Sequence, residues 1–262
     1  MLTRALPSFG TRRSIRVFER NFMVYRSQWL MLISGFFEPL FYLLSISIGL
    51  NHFIAHLNVG GRAVSYSTFV APGMLATSAM NGAVIDSIFN PFFRLKISHS
   101  YDAILSTPLD VTDIALGEVW WALARAALYA VSFIVCMAAL GDAGSAWVVL
   151  CWPAAIATSF AFSALGLAAC TYMRSWQDFD LVAVIQLTLF LFSGTFFPIT
   201  EYPRWLGAIV SFSPLYQSAA LMRGLSLGQF QWIMLMRVGY LVVLAGFGIT
   251  LAARRFQKIL VP

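Results

Sequence analysis

Long apolar stretches separated by short polar segments dominate the hydropathy pattern of this chain. A helix that crosses a hydrocarbon core of roughly 30 Å needs about 20 predominantly apolar residues, and six stretches come close to or exceed that length. They are Trp29 to Leu50, Phe69 to Phe89, Val119 to Leu140, Trp147 to Tyr172, Leu181 to Pro198 and Trp232 to Ala253. These stretches lack the alternation of apolar and polar residues that membrane β-strands require. The pattern therefore predicts an all-α, polytopic membrane protein with six transmembrane helices.

The N-terminal segment, residues 1–28, has the pattern of an amphipathic helix. Apolar side chains recur at helical spacing on one side and arginines mark the other side: Ile15, Phe18, Phe22, Tyr25 and Trp29 against Arg12, Arg16 and Arg20. Basic amphipathic helices with aromatic residues lie in the membrane interface. The pattern predicts an interfacial helix whose arginines either anchor it to membrane lipids alone or also contact a cytosolic partner.

The segment between the second and third stretches, Asn90 to Glu118, is predicted to form a lever at the membrane surface. Pro108 disfavours helical backbone at the residue before it, so a short helix from about Leu95 to Ser106 is expected. Asp110 or Thr112 can then cap a new helix that leads into the third stretch. A short helix held between two spans can move the bundle if a partner pushes it.

The segment from Ser193 to Gln231 is not a simple loop. Its apolar runs are too short to span and are interrupted by three prolines, a pattern typical of re-entrant or interfacial helices. Phe196 and Phe197 lie beside this segment, at the end of the fifth stretch. We interpret them as candidates for an external gate.

Composition agrees with a membrane protein. Of the 262 residues, 60% are hydrophobic and 11% are charged, against roughly 25% charged residues in average soluble proteins. The mean hydropathy of +0.78 argues against a disordered chain, a coiled coil and an ordinary cytosolic enzyme.

Lysine and arginine are distributed unevenly between the two sides of the predicted bundle. Twelve of the 17 lie on the side of the N-terminus, and three, Arg62, Arg204 and Arg223, lie on the other side. Cytoplasmic segments carry the excess of these residues, so both termini are predicted to be cytoplasmic in a bacterial cytoplasmic membrane. Residues 29–253 then form the transmembrane domain and residues 254–262 a basic tail. This topology explains the net charge of +6 without a nucleic-acid partner.

Ionisable residues within or beside the apolar stretches are candidate functional groups, because such residues tend to face the bundle interior or water. Glu38 precedes Pro39 and can bond an adjacent helix, contact cargo or relay a proton. Asp86 is expected in hydrated surroundings near the cytoplasmic end of its span. Glu118 and Arg125 share a helix face, which predicts an internal or interhelical ion pair.

The sequence offers no candidate catalytic residues, metal ligands or cofactor site. A phosphate-binding Walker loop ends in Gly-Lys-Ser or Gly-Lys-Thr, and neither lysine of the chain, Lys96 or Lys258, follows a glycine. Energy for any ATP-driven process must therefore come from a separate chain. Asp178 and Asp180 match the Asp-x-Asp pattern of metal-dependent glycosyltransferases, which leaves a lipid-modifying enzyme as a weak alternative.

Several segments together resemble type-2 ATP-binding-cassette (ABC) exporter permeases, in the branch of nodulation-factor (lipo-oligosaccharide) and daunorubicin-type drug exporters. The resemblance runs from about residue 15 to residue 255. The segments are FEPLFYLLSISIGL at 37–50, YSTFVAPGMLATSAM at 66–80, YDAILSTPLDVTDIALGEVWWALARA at 101–126, LFSGTFFPITEYP at 191–203 and SPLYQSAALMRGL at 213–225.

This resemblance implies a dimer of permease subunits, as a homodimer or heterodimer, with two cytosolic ATPase subunits. Cargo in that family is amphiphilic or lipid-linked and moves outward. The lever then becomes a coupling helix, with ATPase-coupling candidates Leu95, Lys96, Ile97, Ser98, His99, Tyr101, Asp102 and Leu105. An ion-coupled secondary transporter that uses Glu38 or Asp86 as proton carrier remains the alternative.

Overall fold

A computed structural model describes residues 14–26, 41–45, 48–49, 57–59, 62–98 and 100–260, and these ranges are almost entirely helical. A two-stranded antiparallel hairpin, with Leu57 opposite Val64, precedes the first long helix. The elements are α1 (Ser14–Arg26), β1 (Leu57–Val59), β2 (Arg62–Val64), α2 (Tyr66–Phe92), α3 (Ser100–Leu105), α4 (Val111–Ala139), α5 (Cys151–Cys170), α6 (Asp178–Leu191), α7 (Arg204–Ser211), α8 (Pro214–Ser226) and α9 (Ile233–Leu260).

Four helical segments in the described part of the chain are long and apolar enough to cross a membrane: Tyr66–Ile97, Val111–Ala139, Ala146–Cys170 and Ile233–Ile259. They correspond to the predicted second, third, fourth and sixth spans, so the all-α polytopic fold class is confirmed. The predicted first span lies mostly outside the described residues, although residues 41–45 are helical and Leu43 is buried in the core. The count of six spans stays a prediction.

The predicted fifth span, Leu181 to Pro198, is wrong in its extent. Helix α6 begins three residues earlier and ends at Leu191, so its 14 residues reach only about 21 Å. The chain then turns at Ser193 and Gly194, and Gly194 has a φ of +65°, a backbone conformation that favours glycine. Apolar residues after the turn continue the hydropathy signal although the helix has ended.

The predicted lever helix from Leu95 to Ser106 is also wrong in its extent. A π-helical turn, Phe93–Ile97, extends α2, so Leu95, Lys96 and Ile97 belong to the end of a long helix. The chain bends at Ser98, and α3 contains only six residues. Helix α4 starts at Val111 with Asp110, one of the two predicted candidates, as its N-cap, and the Asp110 N–H donates to the Asp113 carboxylate at 3.1 Å.

The core surrounds α5, which packs against α2, α4, α8 and α9. Alanines at positions 155, 161 and 164 of α5 are fully buried, and small residues of this kind allow membrane helices to approach closely. Most residues of α2 are likewise buried, which makes α2 and α5 the central pair of the bundle.

Helix α1 lies against α4 through a face that overlaps the predicted apolar face only in part, since Phe18 and Phe22 meet Trp121 edge to face, with ring centroids 5.7 and 6.5 Å apart. Ile15 and Phe22 of the predicted apolar face are 52% and 54% exposed, whereas Ser14, Val17 and Asn21 are buried. A Cβ on Gly117 of α4 would lie 2.5 Å from the Val17 Cβ, so the approach requires glycine there. The buried face is partly polar because it meets a buried carboxylate of α4.

Candidate functional site

Polar side chains from four elements meet at Glu118, near the N-terminal end of α4. The guanidinium of Arg94, on the π-helical turn, pairs with the Glu118 carboxylate. The Tyr101 hydroxyl of α3 donates to Oε1 at 3.2 Å, and the Asn21 amide of α1 donates to Oε2 at 3.1 Å. We call these four residues the Glu118 junction. One buried carboxylate thereby connects α1, the end of α2, α3 and α4.

The electrostatics of the junction keep the Tyr101 hydroxyl neutral, and nearby arginines compensate the charge of the Glu118 carboxylate. Burial and the neighbouring Glu118 raise the pKa of Tyr101 well above its usual value, so the hydroxyl keeps its proton and serves as a donor. Arg20 of α1 is a second cation close to the carboxylate. Burial, and then Arg94, lower the pKa of Arg20, while Glu118 acts in the opposite direction.

An apolar cluster joins the junction to α9. The Tyr101 ring, which is fully buried, meets Phe256 edge to face, with ring centroids 6.0 Å apart. Leu95, Ile114 and Leu167 belong to the same buried cluster. Because closely packed interiors transmit displacement, a movement of α3 has contacts through which to reach α2, α4, α5 and α9.

The predicted coupling residues divide into two groups. Leu95 and Tyr101 are buried in the junction region, and Lys96, Ile97 and Ser98 are exposed beside it. Arg16 of α1 is also exposed and pairs with Glu19 at 3.2 Å. Three predicted residues, Arg12, Glu38 and His99, lie outside the described residues, as do the side chains of Asp102 and Leu105.

A second buried ion pair lies farther along α2 and α4. Arg125 donates to Asp86 at 2.5 Å and to the Tyr129 hydroxyl at 2.9 Å. The expectation of hydrated surroundings for Asp86 is wrong, because this residue is only 6% exposed. Glu118 pairs with Arg94 and Arg125 pairs with Asp86, so of the two predicted arrangements the ion pairs between helices are the ones found. The two ion pairs lie about two helical turns from each other along α2 and α4, which run antiparallel.

Neutralising one member of the Asp86–Arg125 pair is expected to destabilise the protein by about 3–5 kcal/mol, since the ion pair that compensates the other buried charge is lost. The double variant Asp86→Asn with Arg125→Gln removes both charges, and we expect it to recover most of that loss. Thermal unfolding of the purified chain in mild detergent measures the effect. Glu19→Gln, which breaks the exposed pair of α1, is the control and should change stability by under about 0.5 kcal/mol. A mild effect of Asp86→Asn, equal to the control, contradicts the assignment.

The end of the bundle opposite α3 is closed by a turn that Arg223 of α8 holds. Its guanidinium donates to the carbonyls of Phe69 at 3.0 Å, Gly194 at 2.9 Å and Thr195 at 3.4 Å. It also lies 3.8 Å from the centroid of the Phe69 ring, a cation–π contact. We call residues 193–198 with Arg223 the outer clasp. The clasp fixes the end of α6 to the start of α2.

The two predicted gate residues have different environments in this clasp. Phe196 packs inward against Phe190, with ring centroids 5.1 Å apart. Phe197 is 57% exposed. One ring therefore belongs to the packed interior, and the other is available to a neighbour or to a passing molecule.

The Asp-x-Asp pattern is used structurally at its first residue. The Asp178 carboxylate accepts backbone N–H groups of Arg174 at 2.6 Å and Ser175 at 3.1 Å. These hydrogen bonds lower the pKa of Asp178. Within the described ranges no group of three or more His, Cys, Asp or Glu residues is arranged to hold a metal ion.

Three residues of these sites were not singled out by sequence reasoning: Asn21, Arg94 and Arg223. Arg94 and Arg223 were counted only as loop charges that set the orientation. The available signal was local, since Arg223 lies in a short, otherwise uncharged helix between apolar residues. A long-range partner such as Glu118 for Asn21, 97 residues away, leaves no comparable local pattern.

Comparison with known proteins gives consistent matches. Residues 15–227 match the family described as ABC-2 type transporter. Nodulation protein J of Rhizobium leguminosarum bv. trifolii is 36% identical over 228 residues, which cover 86% of this chain and 84% of that protein. Nodulation protein J of Rhizobium meliloti (strain 1021) is 32% identical over 228 residues, with 86% and 84% covered.

Proposed function

Since this chain belongs to the ABC-2 type transporter family and is the permease subunit of an ABC exporter, we propose that it moves amphiphilic, lipid-linked or drug-like cargo outward across the cytoplasmic membrane. Two cytosolic ATPase subunits supply the energy, and the chain itself hydrolyses no ATP. Both termini are cytoplasmic in this proposal, so α3 faces the ATPase and the outer clasp faces away from it.

The Glu118 junction is the observation that carries the proposal. An ATPase that closes on ATP pushes α3, and Tyr101 passes the displacement to Glu118 and Phe256. The hydrogen-bonded carboxylate then shifts α1, α2 and α4 together, as in other rigid-body transitions between two packed states. Movement of these helices changes the access of the pathway from one side of the membrane to the other.

The Asp86–Arg125 pair disfavours the alternative of an ion-coupled transporter. A proton carrier has to exchange its proton with water, and the Asp86 carboxylate is buried against a guanidinium. Its geometry supports a structural role in the bundle. The ATPase partner therefore remains the better source of energy.

A second permease subunit completes the pathway in this proposal, either as a second copy or as a related chain. None of the 14 residues of α6 is buried. Leu181, Val184 and Leu187 are each more than half exposed on this helix. Phe197, in the turn that follows this helix, is also exposed, so the subunit contact and the external gate would adjoin each other.

Charge reversal at Lys96, at the exposed end of the π-helical turn that precedes α3, tests the coupling. In complexes with the ATPase, Lys96→Glu is expected to lower vanadate-sensitive ATP hydrolysis roughly tenfold, because coupling between two protein sites is typically worth that factor. Lys258→Glu, a matched reversal on the exposed surface of the last turn of α9, is the control. The mass of the purified complex gives its stoichiometry. Equal activity of Lys96→Glu and the control, or a chain that never binds an ATPase, contradicts the proposal.

A further inference from the structure

A cleft of about 520 Å³ lies between α5, α8 and α9, at the end of the bundle opposite α3. Pro153 and Ala157 of α5, Leu221 of α8 and Val238 of α9 are among its walls. Of the described residues that line it, Gln231 alone has a side chain that is neither aliphatic nor aromatic. A ligand of this cleft must therefore be a hydrocarbon over most of its surface.

The cleft extends over about two thirds of the hydrocarbon of one bilayer leaflet. Its lining runs from Leu150 to Ala157 at the start of α5 and from Trp232 to Val238 at the start of α9, which is about 10 Å along each helix. The hydrocarbon of one leaflet is about 15 Å thick. At the rim, Trp232 is 85% exposed, and Trp147 and Phe230 stack edge to face at 4.9 Å. Exposed tryptophans of this kind mark the headgroup level, so the cleft descends from there among the acyl chains.

The walls of the cleft are held together by hydrogen bonds on its protein side. The Ser145 hydroxyl donates to the Ser226 carbonyl at 3.0 Å, and the Cys151 thiol donates to the Met222 carbonyl at 3.3 Å. Both contacts fix the start of α5 to α8. The cleft is thus formed before any ligand enters it, as in most small-molecule sites, and its volume lies in the range of such sites.

We propose that this cleft binds one acyl chain of a membrane phospholipid. A sugar or a charged headgroup would lose its hydrogen bonds to water without finding protein partners here. A transmembrane helix from another subunit, about 10 Å in diameter, could cover the mouth of the cleft and insert side chains, and cross-linking between copies distinguishes that case from a bound acyl chain. In the orientation proposed above the cleft lies in the outer leaflet, whereas the binding of an acyl chain does not depend on that orientation.

The bound chain would also steady the outer clasp. Leu221 and Leu225 of α8 line the cleft, and Arg223 of the same helix holds the turn at residues 193–198. An acyl chain between α5 and α9 thereby supports α8 from the membrane side. The lipid is then a structural part of the outer clasp.

Photolabelling tests the site directly. The full chain is placed in nanodiscs of phosphatidylethanolamine and phosphatidylglycerol, with a phosphatidylglycerol that carries a diazirine in one acyl chain, and the adducts are mapped by mass spectrometry. We expect adducts on residues 150–157 and 230–238. Ala157→Phe should reduce them roughly tenfold, since loss of about two buried methylene groups corresponds to that change in affinity.

The matched control is Ala138→Phe, at an exposed alanine near the C-terminal end of α4 and away from the cleft. This substitution should leave the labelling unchanged. Val238→Phe on the opposite wall is a second variant if Ala157→Phe does not fold. Labelling as strong at exposed Val243 as in the cleft, or equal labelling in the filled variants, overturns the proposal. A cross-link to a second copy through the cleft overturns it as well. The assay needs neither ATPase nor nucleotide, so a failure of the exporter mechanism would not alter its result.

Discussion

Glu118→Ala is expected to abolish ATP-driven export and to destabilise the folded chain by about 3–5 kcal/mol, because it removes the carboxylate that pairs with the buried guanidinium of Arg94. The Tyr101 hydroxyl and the Asn21 amide lose their acceptor in the same step, and each unsatisfied buried donor adds to the cost. Unfolding in mild detergent measures the stability. Vanadate-sensitive ATP hydrolysis per folded molecule in the reconstituted complex measures the coupling.

The variant Glu118→Gln separates the two roles of the carboxylate. The amide keeps the size of the side chain and one acceptor oxygen, so we expect a smaller loss of stability than for alanine. Coupling should still fall, because the charge that binds Arg94 is gone. Glu201→Gln, at an exposed position on the side opposite α3, is the control. If Glu118→Gln matches the wild-type protein in both measurements, the junction does not transmit motion.

Arg223→Met should open the outer clasp. Methionine fills similar space but donates no hydrogen bond, so three backbone carbonyls lose a charged donor, and we expect a loss of about 3 kcal/mol of stability. Arg223→Lys should lie between methionine and the wild type, since an ammonium group cannot reproduce the planar fork of the guanidinium. Arg204→Met, at an exposed arginine of α7, is the matched control.

Accessibility of the clasp turn distinguishes its opening from general unfolding. Thr195 is fully buried beside Ser193, so a cysteine placed there should react slowly with a membrane-impermeant maleimide. In the Arg223→Met background we expect the modification at this position, read by mass spectrometry, to be roughly tenfold faster, the factor that corresponds to about 1.4 kcal/mol. Unchanged modification would show that other contacts hold the turn.

The parts of the fold that sequence could predict are those with local causes. A run of about 20 apolar residues is enough to place a span. Asp110 marks the start of α4 because aspartate is a preferred N-cap residue and stands just before the helix. The end of α6 was missed because the apolar signal continues through Phe196 and Phe197 after the helix has turned. The buried face of α1 is predicted only in part, because Val17 and Asn21 face inward to fit the surface of α4, which the hydropathy pattern does not contain.

The candidate sites show the same division. Glu118, Arg125 and Asp86 stand out because charge is rare in such stretches. Ion pairs from Glu118 and Arg125 to a neighbouring helix were among the expected outcomes. The identity of each partner was not predictable, since it depends on the register between antiparallel helices. Arg223 was overlooked because its ligands are backbone carbonyls, which every residue type carries.

The order of synthesis gives the Glu118 junction a further consequence. Asn21 leaves the ribosome 97 residues before its acceptor, so α1 must wait at the membrane surface until α4 has inserted. Phe256, which packs on Tyr101, arrives only with the last helix. The junction and the apolar cluster that joins it to α9 are therefore complete together only when nearly the whole chain has been made, and in a prematurely terminated chain α3 lacks its contact with α9.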